Sequence, residues 1–445
     1  MALYHPAASD RAVPAPILEH DYKNIKARVE RWRADGTGAS IKYTATLVDN
    51  PDTYKLLLRR LNRGEEPFGF DIETNETEWS RTVRKSPDTV THEIAGMAFC
   101  FGNEDIGFDS FYLPLCTHAQ MTEASRTVTP EMLGLAPYWG LTIARVIRDI
   151  QSAFNKRRAV ILNSKFEIAS LTKYYLDIRN PFCTMLAAYN VGQETMGLKE
   201  ITKREFGVNQ TPFDEVVDLS KQQVKDVDLL DIYPYACADA LWCLRLGLRF
   251  DEQMDESQSN YFTLQQDLVR WIVETELRGV KPQLERLSSI DTAITELINK
   301  LEASIYEMAG QKFNINSLKQ KADVLFGPTD EGGMGLLPPA KKNRRGVYET
   351  ITTKGGNLIS TTKESMRIIT TQHPIIPAIV EHKSLMTIKS TFIDGMPKYI
   401  NPYTGRVHPS VNQHRTATSR LSYTCLLYTS PSPRDRQKSR MPSSA

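Results

Sequence analysis

The residues in this chain best suited to chemistry are acidic, and they recur where apolar segments end. The earliest lie in Phe68-Gly69-Phe70-Asp71-Ile72-Glu73-Thr74. Side chains alternate between the two faces of a strand, so Phe68, Phe70 and Ile72 share one face and Gly69, Asp71 and Glu73 the other. Two neighbouring carboxylates on one strand face repel unless protons or cations intervene. A pair of divalent metal ions would resolve that repulsion and supply hydrolytic chemistry. Taken alone, the pattern also fits a strand whose polar end meets solvent.

A second segment is Val160-Ile161-Leu162-Asn163-Ser164-Lys165-Phe166-Glu167. Its apolar run stops at Asn163 and a helical pattern begins, the kind of junction at which α/β folds place ligand residues. Glu167 near a helix start is also what the helix macrodipole alone would favour. A third segment is Tyr235-Ala236-Cys237-Ala238-Asp239-Ala240. Tyr235 and Asp239 are four apart and share a helix face. An Asp among small apolar neighbours is costly unless paired or metal-bound; a place on the wet face of an amphipathic helix is the plainer alternative.

The elements that must position these residues can be read around them. Residues 68–73, 93–102, 107–115 and 159–162 read as strands and 165–175 as a helix, which predicts an α/β layer. The residues before them, 1–60, are polar and helix-leaning and read as a lead-in region. Beyond residue 251 the pattern becomes helical. Leu264, Leu268, Trp271 and Ile272 sit at helical spacing, with Gly279 as a stop. Leu284, Leu287, Ile290, Ile294, Leu297, Ile298, Leu301 and Ile305 form the stripe of a second helix ending at Gly310. Two such helices in succession predict a helical hairpin or arm. Residues 326–339 are rich in Gly and Pro and read as a loop, followed by a basic run, Lys341, Lys342, Arg344 and Arg345.

Composition sets outer bounds. A chain of 445 residues can bury two or three cores. A hydrophobic fraction of 41% with 24% charged residues is ordinary for globular protein. The net charge of +2 neither supports nor opposes a nucleic-acid partner, since binding depends on where Lys and Arg cluster. Cysteines at 100, 116, 183, 237, 243 and 425 form no C-x-x-C pair, which argues against a zinc ribbon or disulfide framework and fits a reducing cytoplasm. No apolar run is long enough to span a membrane, and the N-terminus lacks a signal-peptide pattern.

In this order, the three acidic segments resemble the three motifs of the DnaQ-like 3′–5′ exonucleases, in the form found in family A DNA polymerases. Thr184-Met185-Leu186-Ala187-Ala188-Tyr189 and Gly197-Leu198-Lys199-Glu200 are similar to the same family. The resemblance implies a ribonuclease H-like fold and two Mg²⁺ or Mn²⁺ ions, which suit in-line phosphodiester attack and oxygen ligands. It implies that Asp71 touches both ions, that Glu73 and Asp239 complete one, and that Tyr235 orients the attacking water. Asn163 and Phe166 would help to hold the terminal nucleotides of a single-stranded 3′ DNA end. Glu167 stands where the family usually has Asp, which could shift the second ion, and Cys183 stands where an Asp that is not a ligand is common.

The helical part resembles family A polymerases through Glu276-Leu277-Arg278-Gly279-Val280, Phe313-Asn314-Ile315-Asn316-Ser317, Lys389-Ser390-Thr391-Phe392, Asn401-Pro402-Tyr403-Thr404-Gly405-Arg406-Val407-His408 and Thr416-Ala417-Thr418-Ser419-Arg420-Leu421-Ser422. This implies a thumb and the start of a palm, with Lys341, Lys342, Lys383, Arg406 and Arg420 on a primer-template duplex; such phosphate contacts need no sequence reading. Thr387 lies where Lys is common, and Ser419 replaces a usual Gly.

The expected architecture is thus an α/β ribonuclease H-like exonuclease domain over 61–250, then a mostly α-helical thumb and a partial α+β palm over 251–425. Residues 426–445 are Ser/Pro/Arg-rich, expected to be disordered, and resemble sequencing read-through. The polymerase aspartates are not found, so no DNA synthesis is expected. The expectation is a monomeric, cytoplasmic replication protein of bacterial or phage type that acts on DNA and not at a membrane. Two other readings share these features: a non-catalytic DNA-binding remnant, and an RNA-trimming enzyme of the ribonuclease D type.

Overall fold

The computed structural model describes residues 41–81, 88–115, 135–136, 141–218, 222–342, 347–353, 358–416 and 418–424. These fall into two compact units. One comprises the described residues up to Gly279 together with Pro409–Thr424, and the other is Val280–His408.

The first unit is built on a six-stranded mixed sheet. Its strands are β1 (Tyr43–Leu47), β2 (Phe68–Asn75), β3 (Glu93–Asn103), β4 (Gly107–Pro114), β5 (Ala159–Ile161) and β6 (Pro181–Cys183), in the spatial order β1-β4-β3-β2-β5-β6. The pairs β2–β3 and β3–β4 are antiparallel, whereas β1–β4, β2–β5 and β5–β6 are parallel. The strand carrying Asp71 and Glu73 therefore lies inside the sheet, paired with β3 along its length and with β5 over Phe68–Phe70.

Helices α1 (Pro51–Asn62), α2 (Ile143–Lys156), α3 (Ser164–Thr172), α4 (Thr184–Asn190), α5 (Leu198–Phe206), α6 (Leu229–Gln253) and α7 (Glu256–Arg278) complete this unit. On one face of β2, Phe68 and Phe70 meet Phe154 of α2 edge-on, with ring centroids 5.2 and 4.9 Å apart. On the opposite face the strand presents Gly69, and α6 lies directly against it. A Cβ placed on Gly69 would sit 2.3 Å from the Ala240 carbonyl oxygen. Gly247 plays the same part farther along α6, where a Cβ would lie 2.3 Å from a methyl of Val160. Both faces of β2 are thus covered, and α6 is buried along most of its length.

Three expectations are corrected. Residues 43–60, expected within a lead-in region, supply edge strand β1 and most of helix α1, whose Tyr54, Leu57 and Leu61 enter the core. The expected boundary at 251 gives way to a division at Gly279, so α7 and the helix that follows belong to different units rather than to one hairpin. On α7 the buried stripe is Phe262, Gln265, Val269, Ile272, Val273 and Glu276. Leu264 and Trp271, expected inside, are exposed, Trp271 by 71%. Helical periodicity marks two apolar faces on α7, and only packing selects between them.

In the second unit, α8 (Leu284–Ala309), α9 (Leu318–Phe326), α10 (Lys363–Ile368) and α11 (Ile375–Ile388) enclose a small core of Ile305, Ile315, Leu325, Met366, Ile369, Ile375, Ile376 and Ile379. The expected stripe on α8 is buried only at Ile298 and Ile305, and Leu284, Ile290 and Leu297 remain exposed. Strands β7 (Ala340–Lys342) and β8 (Tyr348–Thr350) pair as a short antiparallel ribbon. Arg344, Arg345 and residues 426–445 lie outside the described residues.

Gly69→Ala should cost the first unit about 1–3 kcal/mol by forcing α6 away from β2. Urea unfolding of wild type and variant, followed by circular dichroism, measures this.

Candidate active site

Three separate stretches of chain bring the acidic residues together. Asp71 and Glu73 project from β2, toward α6. Helix α6 crosses β2 at Gly69 with Ala240 in closest approach, which places the preceding residue, Asp239, beside Asp71. Strand β5 pairs with β2 from Phe68 to Phe70 and leads into α3, whose first turn carries Glu167. Gly96 of β3 lies opposite Glu73, and a Cβ there would meet the Tyr112 hydroxyl at 2.2 Å. The sheet is therefore locally thin on both sides of the acidic pair.

The carboxylates are withdrawn from water. Glu167 is 3% exposed, Glu73 7% and Asp239 9%, while Asp71 is half-buried. Loss of hydration disfavours the charged form, and neighbouring like charges add to the effect. Burial, then the charge of Asp239, pushes Asp71 up to about 8. Burial, then Asp71 and Asp239, raises Glu73 well above the ordinary carboxylate range. Burial followed by Asp71 does the same to Glu167. Asp239 is also raised by burial, against the opposing effect of Lys199. Asp71 is the shared neighbour: Asp239 raises it, and its own charge raises Glu73 and Glu167.

Tyr235 shares the α6 face with Asp239, and burial followed by the charges of Asp239 and Glu73 raises its hydroxyl pKa. It remains a neutral O–H group able to donate a hydrogen bond. Asn163 precedes α3 and makes no capping bond with its side chain. Phe166 packs edge-on against the fully buried His92, with ring centroids 5.4 Å apart. A cavity of about 600 Å³ opens beside the cluster, lined by Lys199, Asn209, Gln210, Thr211, Tyr235 and Asp239 among others.

Lys199 is a site residue that the sequence reading did not single out. Its ammonium contacts the Asp239 carboxylate and stands 4.2 Å from the centroid of the Tyr235 ring. Its place near the start of α5 was the available signal, since a cation there faces the positive end of the helix dipole.

The donor chemistry fits a hard divalent cation, being oxygen-only and strongly anionic. Glu167 Oε2 is buried with no hydrogen-bond partner among the described residues, which leaves an acceptor aimed into the interior. As the side chains stand, no three His, Cys, Asp or Glu residues among the described residues converge closely enough to enclose an ion.

The residues expected on duplex DNA are distributed differently. Lys341 and Lys342 are exposed on β7, Lys383 is exposed on α11, and Arg406 lies near a bridge between Asn401 and Arg406, all in the second unit. Arg420 is exposed in the returning segment of the first unit. There Ser410–Asn412 and Ser422–Thr424 pair as a ribbon. Lys165 ties this ribbon down through Glu276 at 2.7 Å and the Val411 carbonyl at 2.8 Å. Ser419 adopts a left-handed φ of 57° and its hydroxyl lies 3.1 Å from that of Tyr189. The expected glycine would take this conformation without strain.

Comparisons with known proteins bear on these findings. The sequence profile of DNA polymerase family A matches residues 284–425. Among curated proteins, DNA polymerase I of Chloroflexus aurantiacus is 32% identical over 271 residues, 58% of this chain and 27% of that protein. DNA polymerase I of Synechocystis is 26% identical over 371 residues, 82% of this chain and 33% of that protein. The chain is thus similar to DNA polymerase family A over residues 284–425, and to DNA polymerase I proteins over a longer stretch. It spans about a quarter to a third of the length of these relatives. Among solved structures, the polymerase domain of Pol1 from M. smegmatis, in complex with DNA primer-template and dNTP, superposes with a TM-score of 0.59. That match covers 85% of this chain and 54% of the other at 18% identity, a likeness of fold.

The raised carboxylates give a stability prediction with a definite sign. Each binds its proton more tightly in the folded than in the unfolded chain, so its contribution is full below the ordinary carboxylate range and is lost as pH rises through the folded value. For Asp71 that window runs from 3.8 to about 8. Without added metal, thermal unfolding of the wild type should shift downward across this range, and Asp71→Asn should shift less.

Proposed function

We propose that the first unit is a metal-dependent 3′–5′ exonuclease of ribonuclease H-like type that trims DNA ends. The observation that carries this reading is that Asp71, Glu73, Glu167 and Asp239, from three chain segments, are largely withdrawn from water within electrostatic reach of Asp71, and that Asp239 borders an open cleft. A structural role gives no reason to gather like charges away from water, because each loses hydration and repels the others.

In this reading Asp71, Glu73, Glu167 and Asp239 would hold two Mg²⁺ or Mn²⁺ ions. Such ions supply an activated water and stabilise the leaving oxygen when bound. The Tyr235 hydroxyl, kept neutral by burial and then by its acidic neighbours, would donate a hydrogen bond to orient the attacking water. The cleft beside Asp239 and Tyr235 would receive the end of the strand. Phe166, steadied by His92, offers a ring face for a terminal base. Similarity to DNA polymerases supports a DNA substrate over RNA. Lys341, Lys342, Lys383, Arg406 and Arg420 would contact primer-template phosphates, with the second unit serving as the thumb.

A second reading, a DNA-binding remnant without catalysis, draws on the Lys199–Asp239 contact and on the absence of three converged ligands among the described residues. The two readings part on one assay. End-labelled single-stranded DNA should be shortened from its 3′ end only with Mg²⁺ or Mn²⁺, and Asp71→Ala or Asp239→Ala should slow this by roughly 100-fold or more. Glu167→Asp should retain trimming. A folded wild type that leaves the DNA intact with either metal favours the remnant.

A further inference from the structure

Lys199 is a charged group that the proposed chemistry leaves without a role. It is the second residue of α5, after the N-cap Gly197, where the helix dipole repels a cation. Its partners explain why it stays there. The ammonium meets the Asp239 carboxylate, lies over the Tyr235 ring and reaches Gln210 Oε1 at 3.4 Å. It is also the cation felt by Asp71 and Glu73. Lys199 is therefore the countercharge that lets this acidic cluster exist without metal.

A divalent cation held by Asp239 would claim the same carboxylate. Two cations at one carboxylate repel, which favours movement of the more mobile one, the ammonium. The Lys199 side chain is partly exposed and borders the cleft, with Asn209, Gln210 and Thr211 beyond it. A four-carbon stem is long enough and flexible enough to move its charge there. In that cleft the attractive partner for a displaced ammonium is the phosphodiester of a bound strand.

We propose that Lys199 is a positioning residue that exchanges partners, neutralising Asp239 in the metal-free protein and holding a substrate phosphate once divalent cations occupy the carboxylates. The inference rests on the exonuclease reading. It predicts opposite effects on two ligands, which a purely structural lysine would not produce.

The test compares wild type, Lys199→Met and Lys199→Arg on the full chain. Mn²⁺ binding is followed by electron paramagnetic resonance, and binding of a single-stranded oligonucleotide with 3′-terminal phosphorothioate linkages by fluorescence anisotropy. Lys199→Met should bind Mn²⁺ on the order of tenfold more tightly, yet bind the oligonucleotide in Mn²⁺ several-fold more weakly. Lys199→Arg should return both affinities toward wild type. Lys199→Gln, which keeps a polar stem, replaces Lys199→Met if thermal melting shows that variant unfolded. Equal or weaker Mn²⁺ binding by the uncharged variant overturns the lysine exchange alone. No Mn²⁺ binding by any of the proteins overturns both this inference and the exonuclease reading.

Discussion

Asp71, Glu73, Glu167 and Asp239 bring like charges within reach of Asp71 in a place largely withdrawn from water. Much of the first unit can be understood as the structure needed to hold them there. Strand β2 is paired with β3 past Asp71 and Glu73 and with β5 over Phe68–Phe70, and α6 packs on the face that bears the two carboxylates. The aromatic packing of Phe68 and Phe70 on Phe154 anchors the strand from the opposite side. Lys199 supplies the cation that makes the arrangement tolerable in the absence of metal. A buried cluster of one sign is stabilised by burial of the apolar groups around it, not by its own interactions.

The close approach of α6 to the sheet is what turns separate acidic residues into a site. Gly69 and Gly247 remove two side chains that would hold the helix off. With a larger residue at Gly69, Asp239 would stand back from Asp71, and the cluster would divide into a group of three and a single charge. The glycine on the strand is thus as necessary to the site as the carboxylates, although it carries no chemistry.

The two units differ in how they are stabilised. The first has an extensive core that runs from β1 through α7. The second rests on a small set of aliphatic residues, and α8 leaves several large apolar side chains exposed. The family profile covers this second unit and the returning segment. Within the first unit, Lys165 joins that returning segment to α7 through Glu276, so residues from the family-matching stretch are built into the unit that bears the acidic cluster.

Much of the site was legible in the sequence. Alternation in residues 68–73 gave Asp71 and Glu73 a common face, the four-residue spacing joined Tyr235 to Asp239, and the strand-to-helix junction pointed to Glu167. These are local patterns, fixed by backbone periodicity. Other features depend on contacts between distant residues, which no local pattern encodes. The membership of Tyr43–Leu47 in the sheet was decided by pairing with β4, sixty-five residues away by the Thr44–Asp109 register. The face of α7 that is buried was decided by what packs on it, because both faces carry apolar residues. Lys199 entered the site because α5 brings it against α6, a long-range approach invisible in Gly197-Leu198-Lys199-Glu200 itself. The sequence by itself determined which residues could do chemistry and on which face of each element they lie. Only the tertiary structure decided which of them share one site and which cation answers their charge, because electrostatic coupling depends on distance in space and not along the chain.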